Sequence, residues 1–225
     1  NVVSLARNIG YVPRSRKSAQ AIVNFDFKFN GNSNSIKLRK GLVCVGAQNN
    51  TSFTFSIPED ITIASPVDIG SNITVNPPRT AEFRDITIYQ GTLLKKFFTV
   101  NASLQQRYIL DNSFVDTASI RVFVRKSGST SGLEYSKIDN ITAINEKSNI
   151  YLIQEIKDEK YELLFGDGLF GKKLDNGDVI EVSYIITDGK AGNDGKFFSY
   201  SGDAVDDANN PVDASTTPLI TTLQV

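Results

Sequence analysis

Residues 149–193, NIYLIQEIKDEKYELLFGDGLFGKKLDNGDVIEVSYIITDGKAGN, decide the fold class. Two apolar runs, Ile150–Ile153 and Tyr161–Phe165, lead into a glycine-rich turn, Gly166-Asp167-Gly168. A third run, 179–187, alternates: Val179, Glu181, Ser183 and Ile185 oppose Ile180, Val182, Tyr184 and Ile186. Period-two patterning between Gly, Asn and Asp clusters predicts adjacent antiparallel strands. Asn176-Gly177 and Asp188-Gly189 read as turns, because both dipeptides supply positive φ at low steric cost.

Upstream the same pattern continues. Val23, Phe25, Phe27 and Phe29 alternate with Asn24, Asp26 and Lys28, which predicts a half-buried strand with the phenylalanines in the core. Ile36 and Leu38, the run 42–45, and Phe53, Phe55 and Ile57 follow in the same manner, and Pro77-Pro78 closes the unit. A second set begins near Phe83, turns at Gln90-Gly91 and includes the alternation of Ile120, Val122 and Val124. Strands follow strands with no helical period between them, so parallel βαβ architecture is disfavoured. The expectation is a mainly β chain of two antiparallel β-rich modules, sandwich- or barrel-like, preceded by the end of an N-terminal helix. That helix rests on Val2, Leu5, Ala6 and Ile9 at helical spacing, with Gly10 and Pro13 beyond them. The divisions are 1–20, helix end and basic linker; 21–80, first β module; 81–195, second β module with the FGDG turn; and 196–225, an acidic C-terminal extension.

Composition narrows the chemistry. The 225 residues carry a net charge of −1 and contain no histidine and no tryptophan. Ser-His-Asp and Cys-His nucleophile systems and His-based metal sites are therefore excluded within the chain. The single cysteine, Cys44, lies in an apolar run and reads as a small buried hydrophobe without a disulfide partner. No apolar stretch is long enough to span a bilayer, and no signal peptide is evident. The chain begins at Asn1 and lacks methionine, as expected of a piece excised from a longer protein.

Four clusters have candidate roles. Arg7, Arg14, Arg16 and Lys17 form a short basic patch. Without interleaved aromatics it suits a solvated loop or a protein interface better than nucleic acid. Eight basic residues and one acid in the first forty stand against four acids and one lysine in 196–225, so the two ends could dock head to tail between subunits. The alternative is two separately solvated surfaces. Asp167, Asp175, Asp178, Asp188 and Asp194 offer hard-oxygen ligands near glycines, but their spacing fits neither an EF-hand nor a nine-residue calcium repeat, so tight turns explain them without an ion. Glu155, Glu162 and Glu181 are the available carboxylates for a glycosidase-like pair, and nothing in the sequence singles out two of them. The GxGxxG spacing of residues 166–171 lacks the βαβ context of a dinucleotide site.

In order along the chain, Leu5-Ala6-Arg7-Asn8-Ile9-Gly10-Tyr11, Ser18-Ala19-Gln20-Ala21, Val115-Asp116-Thr117 before Ile120-Arg121-Val122, Tyr151-Leu152-Ile153-Gln154-Glu155, Tyr161 through Gly168, Phe170-Gly171-Lys172, Asn176 through Ile180, Tyr184 and Gly192-Asn193 form one set. Together these residues resemble the baseplate J-like family, the wedge proteins that ring the baseplate of contractile-tailed phages. The resemblance implies a non-enzymatic structural subunit of the virion tail baseplate, assembled in the host cytoplasm. It implies other wedge subunits as partners, a homo-oligomer (a dimer within the ring), no cofactor or metal, no nucleic acid and no membrane insertion. Gly166, Asp167, Gly168, Gly171, Asn176 and Gly177 become the family's structural turn, Arg7, Arg14, Arg16 and Lys17 a candidate interface, and residues 76–80 a hinge. A receptor- or glycan-binding β module is the alternative, with a cell-wall hydrolase behind it.

Overall fold

The computed structural model describes residues 15–48, 50–138, 144–193 and 195–224. The expected helix, with Arg7 and Arg14, lies outside them. Six strands come first: β1 (Gln20–Asn30), β2 (Ser35–Leu38), β3 (Gly41–Gln48), β4 (Thr51–Ile57), β5 (Ile61–Ala64) and β6 (Pro78–Gln90). Seven follow: β7 (Thr92–Thr99), β8 (Tyr108–Leu110), β9 (Val115–Arg125), β10 (Gly132–Lys137), β11 (Ile150–Glu155), β12 (Tyr161–Phe165) and β13 (Val179–Ile186). The last three are short: β14 (Lys196–Tyr200), β15 (Ala204–Val205) and β16 (Thr221–Gln224). The chain is mainly β and forms two compact units. One, here the outer module, comprises 18–93 and 187–225; the other, the inserted module, comprises 94–186 with 1–17.

The outer module is a six-stranded sheet in the order β14-β3-β4-β6-β1-β16, and a bridge between Ser199 and Leu219 links its two edges into a nearly closed barrel. β1 behaves as its alternation predicts: Val23, Phe25, Phe27 and Phe29 are all buried. Phe25 stacks on its cross-strand partner Phe83, with centroids 4.7 Å apart. Cys44 is fully buried in the same core, and burial pushes its thiol up to about 12. A small sheet, β15-β2-β5, completes the module.

Two expected boundaries move. β6 runs unbroken through position 80, paired antiparallel with β1 from Asn30↔Pro78 to Gln20↔Tyr89, and Phe83, Ile86 and Ile88 belong to the outer core. Pro78 begins a strand, where its missing N–H is tolerated, and so does not end a domain. Nor do residues 76–80 link the two modules, since Pro78, Arg79 and Thr80 lie within β6 of the outer module. Buried Arg79 donates to the carbonyls of Gly31 (2.7 Å) and Ser65 (2.7 Å), and Thr80 Oγ1 donates to Asp68 Oδ1 (2.8 Å).

The acidic extension is no extension. β14 pairs with β3, β15 with β2 and β16 with β1, while Phe198, Ala204 and Ile220 enter the core. Arg39 Nε stands 3.6 Å from Asp203 Oδ2, and Lys37 Nζ donates to Asn209 Oδ1 at 3.0 Å, so the basic N-terminal and acidic C-terminal segments meet within one chain.

The chain leaves the outer module after Leu93, three residues beyond Gln90, and returns at Thr187. The buried Gln90 amide joins these points: its Oε1 accepts from Thr187 Oγ1 (2.6 Å) and Asp188 N (3.0 Å), and its Nε2 donates to Asp188 Oδ2 (3.0 Å). Gly192 packs so closely on this amide that an added Cβ would lie 2.5 Å from Gln90 Cγ.

The inserted module is a seven-stranded sheet, β7-β13-β9-β10-β11-β12-β8. Its edges approach through Phe98 on Tyr108 (5.6 Å, edge-on) and Lys96 Nζ to Asp111 Oδ1 (2.6 Å). The β11–β12 pairing agrees with the expectation from 149–193. β13, however, lies between β7 and β9 rather than beside β12. One parallel pair, β10 with β11 through Ser136↔Ile150, interrupts the antiparallel pattern.

Phe198 tests the reassignment of the C-terminal segment. Its ring packs edge-on to Phe55 at 5.0 Å, so Phe198→Ala is expected to lower stability by about 3–5 kcal/mol in denaturant unfolding. A separately solvated tail would leave the midpoint unchanged.

Candidate functional site

The six turn residues read from the sequence lie together in the inserted module, in two loops after β12. At the first, the backbones of Gly166 and Gly171 touch: a Cβ on Gly166 would lie 2.2 Å from the Gly171 carbonyl carbon. Gly171 has φ +83°, and a Cβ there would come within 2.5 Å of Ile150 Cδ1. Both the crossing and the dihedral therefore require glycine. Asp167 Oδ1 accepts from the backbone N–H of Leu169 (2.8 Å) and Phe170 (2.9 Å). These two bonds hold the Asp167 carboxyl below the usual carboxylate range. Gly171 N donates to Asn145 O (3.1 Å) and Lys172 N to Ser148 O (2.8 Å), fastening the loop at its base. Its apex presents Leu169 and Phe170 to solvent, 76% and 65% exposed.

The second loop turns at Asn176-Gly177, where Gly177 has the positive φ (+82°) its sequence predicts. Asn176 Oδ1 accepts from Ala102 N (3.0 Å), and Gly177 N donates to Val100 O (2.8 Å). The Asp178 side chain, 1% exposed, accepts from Lys126 Nζ (2.8 Å) and Asp175 N (3.0 Å). Asp175 Oδ2 takes a second bond from Lys126 Nζ at 2.7 Å. Hydrogen bonding to Asp175 and Asp178 raises the Lys126 pKa, and the Lys126 bond lowers that of Asp175. These aspartates stabilise the turns.

Beside the first loop lies a groove of about 310 Å³, with Val100, Leu104, Tyr108, Leu164, Gly166 and Lys173 among its walls. Glu162 lies along it, buried, in a two-pronged pair with Arg107: Nε to Oε1 at 2.7 Å and Nη2 to Oε2 at 2.6 Å. The Arg107 bonds pull the Glu162 carboxyl below its ordinary range, outweighing desolvation. A carboxylate held ionised by a forked guanidinium suits recognition better than proton transfer at neutral pH.

The other candidates are dispersed. Glu181 stands 3.8 Å from Lys95 Nζ, and Glu155 is on β11, which is not a neighbour of β13. Asp188 belongs to the Gln90 junction, and Asp194 lies outside the described residues. Among the described residues, no three His, Cys, Asp or Glu side chains converge on a metal position. Of the basic patch, Arg16 and Lys17 are both exposed, and the Arg16 guanidinium lies 3.8 Å from the centroid of the Phe114 ring and 3.9 Å from Glu159 Oε2. That cation–π contact, and the groove itself, had no signal in the sequence.

Two outcomes check this geometry. Gly166→Ala forces a Cβ into the Gly171 backbone and is expected to disorder the loop, read as lost amide-exchange protection at Gly171 and Lys172. The Glu162 contribution to stability is complete above its unfolded pKa of about 4.3 and disappears as the pH falls through the lower folded value. The difference in thermal midpoint between the parent and Glu162→Gln is therefore expected to be present at pH 7 and to vanish on acidification below that range. No protein-family model matches this chain, and no curated protein matches it.

Proposed function

We propose that this chain is a structural subunit of a phage tail baseplate wedge, one that links wedges into the ring and rearranges when the sheath contracts. The observation that carries the reading is the ordered set of residues resembling the baseplate J-like family, in which the FGDG turn is the densest part. The geometry of that turn supports an assembly role. Its glycines and Asp167 fix a loop whose apex holds two apolar side chains in water, as an anchor prepared for a partner would. In this reading the partners are other wedge subunits, the setting is the virion tail, and the β modules act as stiff bodies presenting surfaces.

The groove beside Glu162 and Arg107 favours a second reading, a receptor- or glycan-binding module, because Tyr108 lines it together with a fixed carboxylate–guanidinium pair.

Native mass spectrometry of the chain mixed with the other tail proteins of its phage separates the two. Hetero-complexes that form with the parent chain and are lost in Leu169→Asp/Phe170→Asp, with the circular dichroism spectrum retained, are the expected result. Chains that ignore every tail protein but bind on a glycan array would favour the second reading.

A further inference from the structure

One wall of the groove in the inserted module is a strand edge. Glu162, Leu163, Leu164, Phe165 and Gly166 all line it. Successive side chains of a strand point to opposite faces, so a groove touched by five residues in a row looks onto the edge of the strand and not onto a face. That edge is only partly used. β12 pairs with β11 along its whole length, from Tyr161↔Glu155 to Phe165↔Tyr151, but with β8 only from Tyr161↔Leu110 to Leu163↔Tyr108. Alternate residues of a strand turn their N–H groups to the same neighbour. On the β8 side, the N–H of Leu164 or of Phe165 therefore faces the groove without a strand partner.

β8 ends here because the chain before it turns away. Arg107 is forked onto Glu162, while the Gln106 amide accepts from Asn101 N (2.9 Å) and donates to Thr99 O (2.9 Å), so residues 106 and 107 do not continue the ladder. The open edge runs from Leu164 to Gly166, about 10 Å of extended chain. A groove of about 310 Å³ holds one such strand and no folded surface. Its two sides differ. Leu163, Phe165, Tyr108 and Leu174 belong to the module core. Glu162 and Leu164 have the opposite parity, and the Arg107 side chain, 58% exposed, and exposed Lys173 accompany them. Arg107 neutralises Glu162. The Lys173 ammonium makes no ion pair or hydrogen bond among the described residues, which leaves it available to an incoming acid.

We propose that the groove takes an extended segment of a partner protein, about three residues long, which adds to β12 where β8 ends. Main-chain hydrogen bonds to β12 supply affinity and alternate side chains supply specificity. Those of one parity are apolar and join the layer of Leu163 and Phe165; those of the other are acidic and face out with Arg107 and Lys173. The inference rests on the second reading above, that this groove is a binding site, and names a protein strand as its occupant. An open N–H on the edge favours a peptide over a saccharide, and the Tyr108 ring is already packed edge-on with Phe98 (5.6 Å) and Phe165 (5.4 Å).

The probe is acetyl-Val-Asp-Val-Asp-Val-amide, titrated into the whole isotopically labelled chain up to about 1 mM, where a Kd near that value fills half the sites. The expected result is saturable shifts of the Leu164 and Phe165 amides, with slowed exchange of the one that faces the groove. Binding should weaken about tenfold or more when the central valine of the probe is replaced by proline, which removes a main-chain donor. Lysines in place of the aspartates should weaken it likewise. Lys173→Glu, an exposed change that should keep the parent thermal midpoint, is expected to weaken the acidic probe and strengthen the lysine one. No shifts at Leu164 and Phe165, or binding indifferent to the proline or to the charges, overturns the proposal. In that event binding on a glycan array keeps the groove as a saccharide site, whereas silence there as well removes the second reading too.

Discussion

One buried amide ties together the two ends of the chain that build the outer module. Gln90 sits just before the chain departs and Thr187 where it comes back, and the side chain of the first holds the second through its hydroxyl and the next N–H. Beyond that junction the chain supplies β14, β15 and β16, which pair with β3, β2 and β1. The separations are large: Ser215 Oγ donates to Lys28 O across 187 positions. The entropy of closing such loops grows only slowly with length. The cost therefore appears as slow formation of non-local pairs more than as lost stability. A buried amide with three good hydrogen bonds suits this junction, because leaving any of those groups unpaired in the interior would be expensive.

The strands of residues 149–193 and β1 were legible because each buries one face over enough residues for period two to show. The positive φ of Gly177 and Gly189 was legible because their dipeptides leave few other choices. The C-terminal strands were not. β15 has two residues and β16 four, set among Ser, Asp, Asn and Pro, so their pattern is shorter than the window in which alternation can be counted. Pro77-Pro78 reads as a boundary because proline usually punctuates, and here it starts the longest strand of the chain. Sheet order was hidden too. Whether β13 lies beside β12 or between β7 and β9 depends on contacts between distant residues, which no local pattern encodes.

The candidate site divides in the same way. Its glycine loops could be read from the sequence, since a residue confined to φ near +83° advertises itself as Gly171 does. The groove could not, because one wall comes from the segment around Val100 to Tyr108 and the other from Leu164 to Lys173. Arg107 and Glu162 give no hint of each other across 55 positions. The aspartates show how one residue type serves different ends. Asp167 shapes a turn with its own neighbours, Asp178 is buried and satisfied by Lys126, and Asp203 meets Arg39 near the surface. Only the second of these resembles the buried, paired acids that also build active sites, and its partners here are structural.

The Gln90 junction also bears on how such a chain can change over generations. Because the inserted module leaves and re-enters through neighbouring residues of one strand end, what lies between them can vary in length, or be exchanged for another folded unit, without disturbing the register of β6 against β1. Insertions of this kind are tolerated where the two ends meet. Diversity would accumulate in residues 94–186, and the outer module would be the slower-changing part.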